Sequence, residues 1–235
     1  MPRNRISSGI HNLDPLIGGG FQEGRTYLVS GETGTGKTIF ALQFLKAGLE
    51  EGEGAVLLTF DEKPEDLLED AESLGWDLRS YVAQGKLIIL DMTDYFEEAR
   101  LKKKAVDIKK IISEIRKYAS QVDARRIAID PIAPLVTSPE IQIRDYIRSF
   151  IYGLDALETT CLITSDIPVG SNRISRFGVE ELFVSGVIVL RFEVELRTIV
   201  RTLTVRKMRG TYLRDRVYNY VIQPSVGISV IEMSF

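Results

Sequence analysis

Hydrophobic residues in this chain fall into short continuous runs that are separated by amphipathic stretches. The continuous runs are rich in β-branched residues and predict strands covered on both faces of a sheet, at residues 25–30, 55–60, 86–91, 125–130 and 160–165. Apolar residues at helical spacing between these runs predict helices at residues 38–50, 64–74, 105–122 and 140–158. Because strands that alternate with helices build βαβ units, the pattern predicts an α/β fold with a mostly parallel central sheet flanked by helices.

The pattern changes from about residue 186 onwards, where strand-like runs follow one another without helices between them. They occupy residues 186–194, 197–207, 216–222 and 227–233. Consecutive strands with short connections predict antiparallel hairpins, which would extend one edge of the parallel sheet. No linker, internal repeat or low-complexity stretch interrupts the chain, so we expect residues 1–235 to form a single domain.

Composition and charge narrow the classes of function. With a formal net charge of −3, the chain has no overall basic field that would draw it to nucleic acid or anionic lipid. Cys161 lies in an apolar run and predicts a small core residue, and the single His11 predicts a surface side chain. One cysteine excludes an internal disulfide, and the sequence shows neither a signal peptide nor an apolar run of about 18 residues. We therefore expect a cytoplasmic protein without a membrane span, and a solvated loop or helix start at the charged residues 100–104.

The first chemical element is the segment 31–38, which reads GETGTGKT and fits the phosphate-binding pattern GxxxxGK[ST]. Glycines let the backbone bend so that several N–H groups point at a triphosphate, and the positive end of the following helix faces the same anion. Lys37 would reach the outer phosphates of ATP, and the Thr38 hydroxyl would bind Mg²⁺. The predicted nucleotide-binding residues are Gly31, Glu32, Thr33, Gly34, Thr35, Gly36, Lys37 and Thr38.

Carboxylates follow two of the predicted strands at the sheet edge where the phosphate loop would lie. Asp130 ends the run RIAID and would hold Mg²⁺ through water, although a strand-end aspartate by itself is also common as a loop cap. Asp61 and Glu62 follow the run AVLLTF, and a carboxylate there would serve as base or orienter for an attacking water. Alternation along an extended segment sends these two side chains to opposite sides, so one of them would act, and we favour Glu62. Capping of the helix that begins near Pro64 explains the spacing equally well.

Two cations near the end of the chain form the next candidate element. Lys207 and Arg209 are two residues apart and share one face of an extended segment, where they would stabilise charge on a transferring phosphoryl group. On spacing alone, a solvated basic edge strand is the better explanation. The segment 197–216 holds seven Arg or Lys residues and one Asp, which also allows contact with nucleic acid or an acidic partner.

Four segments, taken in order along nearly the whole chain, resemble a single KaiC-type domain of the RecA superfamily of P-loop NTPases. The segments are SSGIHNLDPLIGGGFQEGRTYLVSGETGTGKT, VLLTFDEKPEDLLEDAESLGWDL, ISRFGVEELFVSGVIVLR and KMRGT. The resemblance implies a RecA-like fold that binds ATP and Mg²⁺ in the subunit interfaces of a homo-hexameric ring. It matches Asp61 and Glu62 to the family's catalytic carboxylate pair, and Lys207 and Arg209 to residues that reach the nucleotide of the neighbouring subunit.

The sequence departs from the clock members of that family in several places. It holds one such domain where clock KaiC has two in tandem, Pro131 follows the strand-end aspartate where serine is usual, and Leu213 replaces a nucleotide-contacting histidine. No counterpart of the autophosphorylation segment is found. We therefore expect ATP binding without protein-kinase activity or a clock role.

The residues favour one function and leave two alternatives open. The favoured function is a cytoplasmic ATPase that binds Mg²⁺-ATP between subunits and couples slow hydrolysis to conformational change. A DNA-acting motor is supported by the fold and by Arg173 and Arg176 in the loop 166–185, which would face the centre of a ring, and is opposed by the acidic net charge. A nucleotide-gated interaction module with little hydrolysis is the third hypothesis, and the sequence identifies no partner protein.

Overall fold

Strands and helices alternate through most of the chain, and strands alone follow, in the computed structural model, which describes residues 4–138, 142–168, 170–195 and 198–231. The strands are β1 Arg5–Ile6, β2 Phe21–Gln22, β3 Thr26–Gly31, β4 Gly54–Thr59, β5 Leu87–Asp91, β6 Ala124–Asp130, β7 Thr160–Asp166, β8 Gly186–Glu195, β9 Thr198–Met208, β10 Val217–Gln223 and β11 Gly227–Ile231. The helices are α1 Lys37–Glu50, α2 Pro64–Ser73, α3 Leu78–Ala83, α4 Thr93–Leu101, α5 Ile108–Gln121, α6 Ile143–Asp155 and α7 Glu180–Phe183, and 3₁₀ turns lie at Asp14–Ile17 and Ala133–Leu135.

A nine-stranded sheet organises the described residues, in the order β11-β10-β9-β8-β3-β7-β6-β4-β5. From β8 to β5 each neighbouring pair of strands is parallel. Beyond β8, the strands β9, β10 and β11 continue the sheet in antiparallel pairs, and β1 and β2 form a separate small sheet. The predicted α/β fold, with a mostly parallel sheet and C-terminal antiparallel strands, is therefore confirmed.

Both faces of the sheet carry a hydrophobic core, as continuous apolar strands require. On one face, Phe40 and Phe44 of α1 are fully buried against the sheet, and on the other face Ile111 of α5 and Phe150 of α6 are buried. Cys161 on β7 belongs to the second core, and burial raises the pKa of its thiol. The prediction that Cys161 is a core residue is confirmed.

The carboxyl ends of four parallel strands meet at one edge of the sheet and position the candidate site. Gly31, the last residue of β3, pairs with Asp166, the last residue of β7. Thr59 at the end of β4 pairs with Asp130 at the end of β6. In open sheets of this kind, ligands bind outside the carboxyl ends of the strands.

The predicted elements differ from the structure mainly in the segment 75–104. The pattern predicted neither α3 nor α4, and in α4 the buried residue is Phe96 alone, so the helix has almost no apolar periodicity to recognise. The charged segment 100–104 is exposed; Arg100 and Leu101 end α4 and residues 102–104 follow it, so the alternative that the segment starts a helix is wrong. Residues 140–141, 197 and 232–233 of the predicted elements lie outside the described residues.

Two further expectations concern the surface. His11 is exposed, as predicted, and its backbone forms an isolated bridge with Ser229. In the part of the chain that the structure describes, every helix is too short or too polar to cross a membrane.

Candidate functional site

The phosphate loop connects β3 to α1 and needs glycine at several positions. Gly34 and Gly36 have φ angles of +82° and +94°, which side-chain-bearing residues rarely adopt. A Cβ atom on Gly31 would lie 2.6 Å from Thr35 Oγ1 and 2.7 Å from the carbonyl oxygen of Leu190. The glycines of the motif therefore allow both the turn and the close approach of the neighbouring strand.

Contacts from two other strands hold the loop in this shape. Tyr220 on β10 donates its hydroxyl to the carbonyl oxygen of Thr35 at 2.5 Å, and burial raises the pKa of this tyrosine. Within the loop, the Thr35 hydroxyl donates to the carbonyl oxygen of Glu32 at 2.7 Å. Arg191 on β8 lies 3.8 Å from the Glu32 carboxylate. A loop fixed in this way loses little further conformational entropy when it binds an anion.

A cavity of about 450 Å³ opens beside the loop and brings most of the predicted site residues together. The walls come from the phosphate loop, the end of β4 with the turn that follows it, the ends of β6 and β7, and α2. The lining residues are Thr33, Gly34, Gly36, Lys37, Thr38, Ile39, Thr59, Asp61, Glu62, Asp70, Asp130, Pro131 and Asp166.

Lys37 is the cation of this cavity, and it is already paired. Its ammonium nitrogen lies 2.9 Å from Asp166 Oδ1 and donates to the carbonyl oxygen of Glu32 at 3.1 Å. Asp166 was not among the residues predicted from the sequence, although the signal that identified Asp130, an aspartate at the end of an apolar strand, is also present in TCLITSD. Its partner could not be inferred, because the sequence does not show that β7 lies beside β3.

Asp130 lies at the bottom of the cavity among hydroxyl groups. Burial raises the pKa of its carboxyl, while hydrogen bonds from the Thr164 and Thr38 hydroxyls and the charge of Lys37 lower it. The Thr38 hydroxyl and the Asp130 carboxylate are hard oxygen donors, which is the ligand chemistry that Mg²⁺ prefers. The described residues contain no complete cluster of three or more His, Cys, Asp or Glu ligands. The two residues therefore fit a Mg²⁺ ion that takes its other ligands from phosphate and water.

Asp61 and Glu62 both line the cavity, so the prediction that they point to opposite sides is wrong. β4 ends at Thr59, whose hydroxyl donates to the Glu62 carbonyl oxygen at 2.7 Å and accepts from the Glu62 N–H at 3.3 Å. This turn replaces the extended chain on which the alternation argument depended. The capping alternative also loses support, because α2 begins at Pro64 with Lys63 as its N-cap residue and no side-chain capping bond from it.

Burial and the negative charges around the cavity raise the pKa of both the Asp61 and the Glu62 carboxyl groups. For Asp61 the causes are burial and then the charges of Asp166 and Asp130, and for Glu62 they are burial and then Asp130 first among the charges. A raised pKa brings a carboxylate closer to the range in which it can accept a proton from water. The geometry and the charge therefore suit either residue to the role predicted for Glu62.

Lys207 and Arg209 lie away from the cavity of their own chain. Lys207 is opposite Val187 on β8, which pairs with Leu28 on β3, three residues before Gly31. This register puts the backbone of Lys207 roughly 10 Å from the start of the phosphate loop along the strand direction. Across the sheet, Lys207 is two strands away from the loop, which is again roughly 10 Å. Arg209 is further away, because its N–H donates to the Ser185 carbonyl oxygen just before β8.

Both cations rest on the last turn of α7. Lys207 donates to the carbonyl oxygens of Glu181 and Leu182 at 2.8 and 3.3 Å, and Arg209 donates to that of Leu182 at 3.5 Å. Burial and the charge of Arg209 lower the pKa of Lys207. Arg209 itself is exposed. The two side chains therefore share one outer surface, as their spacing predicted.

The remaining residues singled out by the sequence lie at the margins of the site. Pro131 lines the cavity, and Leu213 packs against the core on the α1 face of the sheet. Arg173 and Arg176 are exposed in the loop before α7. That loop is held by the fully buried Glu180, which accepts hydrogen bonds from hydroxyls that include Ser165 at 2.8 Å.

Comparison with known proteins identifies relatives of similar length as well as longer ones. The KaiC-like protein PH0186 from Pyrococcus horikoshii is 34% identical, and the structures superpose with a TM-score of 0.85 over 98% of this chain and 100% of that one. The UPF0273 protein MK0039 of Methanopyrus kandleri is 34% identical over 220 residues, which are 90% of this chain and 86% of that protein.

Longer relatives carry the same similarity over part of their length. The circadian clock oscillator protein KaiC of Thermostichus vulcanus is 35% identical over 230 residues, which are 95% of this chain and 44% of that protein. This chain therefore spans less than half the length of the clock relative. The family model for the KaiC ATPase matches residues 6–234, and the chain belongs to that family.

Proposed function

We propose that this protein is a cytoplasmic ATPase whose residues 1–235 form one domain that binds Mg²⁺-ATP at the interface between subunits of a homo-hexameric ring. The observation that carries the proposal is the cavity in which the loop residues Lys37 and Thr38 face the carboxylates Asp61, Glu62 and Asp130. These are the parts that phosphoryl transfer to water requires: a phosphate cradle, oxygen ligands for a metal and a group to orient the water.

Each group has a definite task in this proposal. The backbone N–H groups of the loop and Lys37 bind the phosphates, and the ammonium leaves Asp166 to do so. Thr38 and Asp130 hold Mg²⁺, which neutralises charge on the phosphates when it is bound. Glu62 orients and deprotonates the attacking water with Asp61 beside it, and burial and then the charge of Asp130 raise the pKa of Glu62.

The cavity of one chain is short of positive charge, which supports a shared site. Among its described lining residues, Lys37 is the cation, and it faces several carboxylates. Charge that builds on a transferring phosphoryl group is usually stabilised by an arginine or lysine in addition to the loop lysine. Lys207 and Arg209 are held on an outer surface, too far from their own cavity, so a neighbouring subunit's site is the place where they would act.

Two other functions would use the same ATP site. They differ from the proposed one in whether ATP is hydrolysed and in what hydrolysis drives. A DNA-acting motor is supported by the exposed Arg173 and Arg176 before α7. A nucleotide-gated interaction module would bind ATP and assemble with almost no turnover. Coupling of slow hydrolysis to conformational change is the version that the five carboxylates of the cavity support best, because a module without turnover has no need of a water-orienting group.

A binding and turnover assay tests the proposal. Phosphate release and equilibrium binding of Mg²⁺-ATP are measured for the wild type, Lys37→Ala and the control Lys46→Ala, which removes a lysine paired with Glu50 at 2.6 Å on the outside of the same helix. We expect Lys37→Ala to lose ATP binding and Lys46→Ala to retain it. Unchanged binding in Lys37→Ala would contradict the proposal.

The same assay with single-stranded DNA separates the alternatives. Turnover that is independent of DNA supports the proposed ATPase, and strong stimulation by DNA supports the motor. ATP binding with turnover indistinguishable from the Lys37→Ala background supports the interaction module.

A further inference from the structure

Tyr212 presents an aromatic ring to solvent in an unusual way. Its exposed fraction is 89%, the highest among the large hydrophobic side chains that the structure describes. Single exposed hydrophobic residues are common on proteins and need no explanation by themselves. What sets Tyr212 apart is the anchoring of the residues on both sides of it.

The residues on both sides of Tyr212 are fixed by contacts with the body of the protein. The hydroxyl of Thr211 accepts a hydrogen bond from Arg5 at 2.7 Å, and the same guanidinium donates to the carbonyl oxygens of Ile17 and Gly20. On the other side, Leu213 packs against the hydrophobic core. Because the residues on both sides of it are held inward, the backbone leaves the ring of Tyr212 directed to solvent.

The exposed ring lies on the segment that carries the two cations. Arg209 precedes it by three residues, a chain length of at most about 10 Å. The cations and the ring therefore offer one partner both positive charge and a flat apolar surface. A nucleoside triphosphate has the matching pair of features, with anionic phosphates at one end and an aromatic base at the other.

The cavity within one chain offers a site for the phosphates of ATP but, among its described residues, no aromatic surface for its base. Its described lining residues include the phosphate loop and several carboxylates, and none of them is aromatic. The phosphates of ATP thus have a preformed cradle, whereas the base finds no ring to stack on among these residues. The missing surface has to come from elsewhere, or the base is bound without stacking.

We propose that Tyr212 stacks on the nucleobase of the ATP that is held by the phosphate loop of a neighbouring subunit. The inference rests on the proposed function, because it takes Lys207 and Arg209 to reach that nucleotide. A tyrosine suits the task, since its ring is rigid and loses little rotamer freedom on binding. Stacking recognises the flat face of a base, so the subsite adds affinity that the phosphates cannot provide.

Comparison of ATP with inorganic tripolyphosphate tests the proposal, because the second ligand has the phosphates and lacks the base. Dissociation constants for both ligands are measured with Mg²⁺ for the wild type, Tyr212→Ala and Tyr212→Phe. We expect Tyr212→Ala to weaken ATP binding about 5- to 150-fold, as base–aromatic stacking does when it is removed. Tripolyphosphate binding should stay the same, and Tyr212→Phe should bind ATP like the wild type because it keeps the ring.

Other outcomes would refute the stacking proposal and leave the proposed ATPase function valid. Unchanged ATP affinity in Tyr212→Ala refutes it, and so does an equal loss for both ligands, which would indicate a role in assembly. Loss of binding to a fluorescent oligothymidylate with unchanged ATP affinity would show that the ring contacts nucleic acid instead. Failure of the proposed function has its own signature, since Lys37→Ala would then bind tripolyphosphate as well as the wild type does.

Discussion

Subunits that carry Lys37→Ala and subunits that carry Arg209→Ala should each be inactive alone and should regain hydrolysis when they are mixed in one ring. Arg209 is more than three residue steps below the phosphate loop of its own chain and two strands across from it. At roughly 3.3 Å per residue and 4.8 Å per strand, that separation is more than about 10 Å along the strands and about 10 Å across them. A single arginine side chain does not span it, so any effect of Arg209 on phosphoryl transfer must act on another subunit's site.

The expected magnitudes follow from this geometry. Arg209→Ala alone should lower the turnover number by about 10³- to 10⁵-fold, as the loss of a finger arginine does. Lys37→Ala alone should bind no ATP. In a head-to-tail ring, an interface is intact when an Arg209→Ala subunit supplies the loop and a Lys37→Ala subunit supplies the arginine. Random mixing at equal amounts makes about one quarter of the interfaces intact, so about a quarter of wild-type activity should return.

The assay measures phosphate release at a series of mixing ratios, with native mass spectrometry to verify mixed rings. Activity should rise to a maximum at equal amounts and fall to background at both ends. Mixing Lys37→Ala with Arg206→Ala serves as the control, because Arg206 is an exposed neighbour on β9 and its variant should be active by itself. Mixed rings without recovered activity would show that Arg209 is a solvated edge residue.

Three further predictions concern the cavity. Glu62→Gln should retain ATP and slow hydrolysis by about 10²- to 10⁴-fold, and an unchanged turnover number would exclude Glu62 as the water-orienting group. Because the folded-state pKa of Glu62 is raised, its charge destabilises the nucleotide-free protein above that pKa. Glu62→Gln should therefore melt at a higher temperature at pH 7, and the difference should vanish as the pH falls and Glu62 becomes protonated in both states. Asp166→Asn should bind ATP more tightly in calorimetry, since the Lys37 ammonium is freed from its ion pair; weaker binding would mean that the pair positions Lys37 for the phosphates. Gly36→Ala should lose about 1–3 kcal/mol of stability from backbone strain and should also lose ATP affinity, because its φ of +94° belongs to the turn that points the loop N–H groups at the phosphates. Gly52→Ala, with a φ of +85° and no atom within 4 Å of the new Cβ, should lose stability alone in the same denaturation and binding measurements.

Features that depend on contiguous residues were predictable from the sequence. The phosphate loop is one segment of eight residues, and its glycines, lysine and threonine act through local backbone geometry. The continuous apolar runs predicted the parallel strands within one residue at each boundary, because burial on both faces leaves a strong pattern. Asp130 was found for the same reason, since a carboxylate directly after such a run must lie at the sheet edge.

Local departures from regular secondary structure could not be predicted from the hydrophobic pattern. Asp61 and Glu62 face one cavity because the Thr59 hydroxyl closes a turn, and no alternation rule contains that hydrogen bond. Helix α4 was not predicted because Phe96 alone is buried in it, and one buried residue gives no helical periodicity in the hydrophobic pattern.

The order of the strands was decided by tertiary packing alone. Whether β7 lies beside β3 depends on how helices on both faces pack, and that adjacency pairs Asp166 with a lysine far away in the sequence. The same packing separates Lys207 and Arg209 from the loop of their own chain and holds the ring of Tyr212 outward. The sequence by itself determined which chemical groups this protein carries and which segments form strands and helices. The tertiary structure decided which of those groups meet in one chain and which face outward, since contacts between distant segments depend on the packing of the whole sheet.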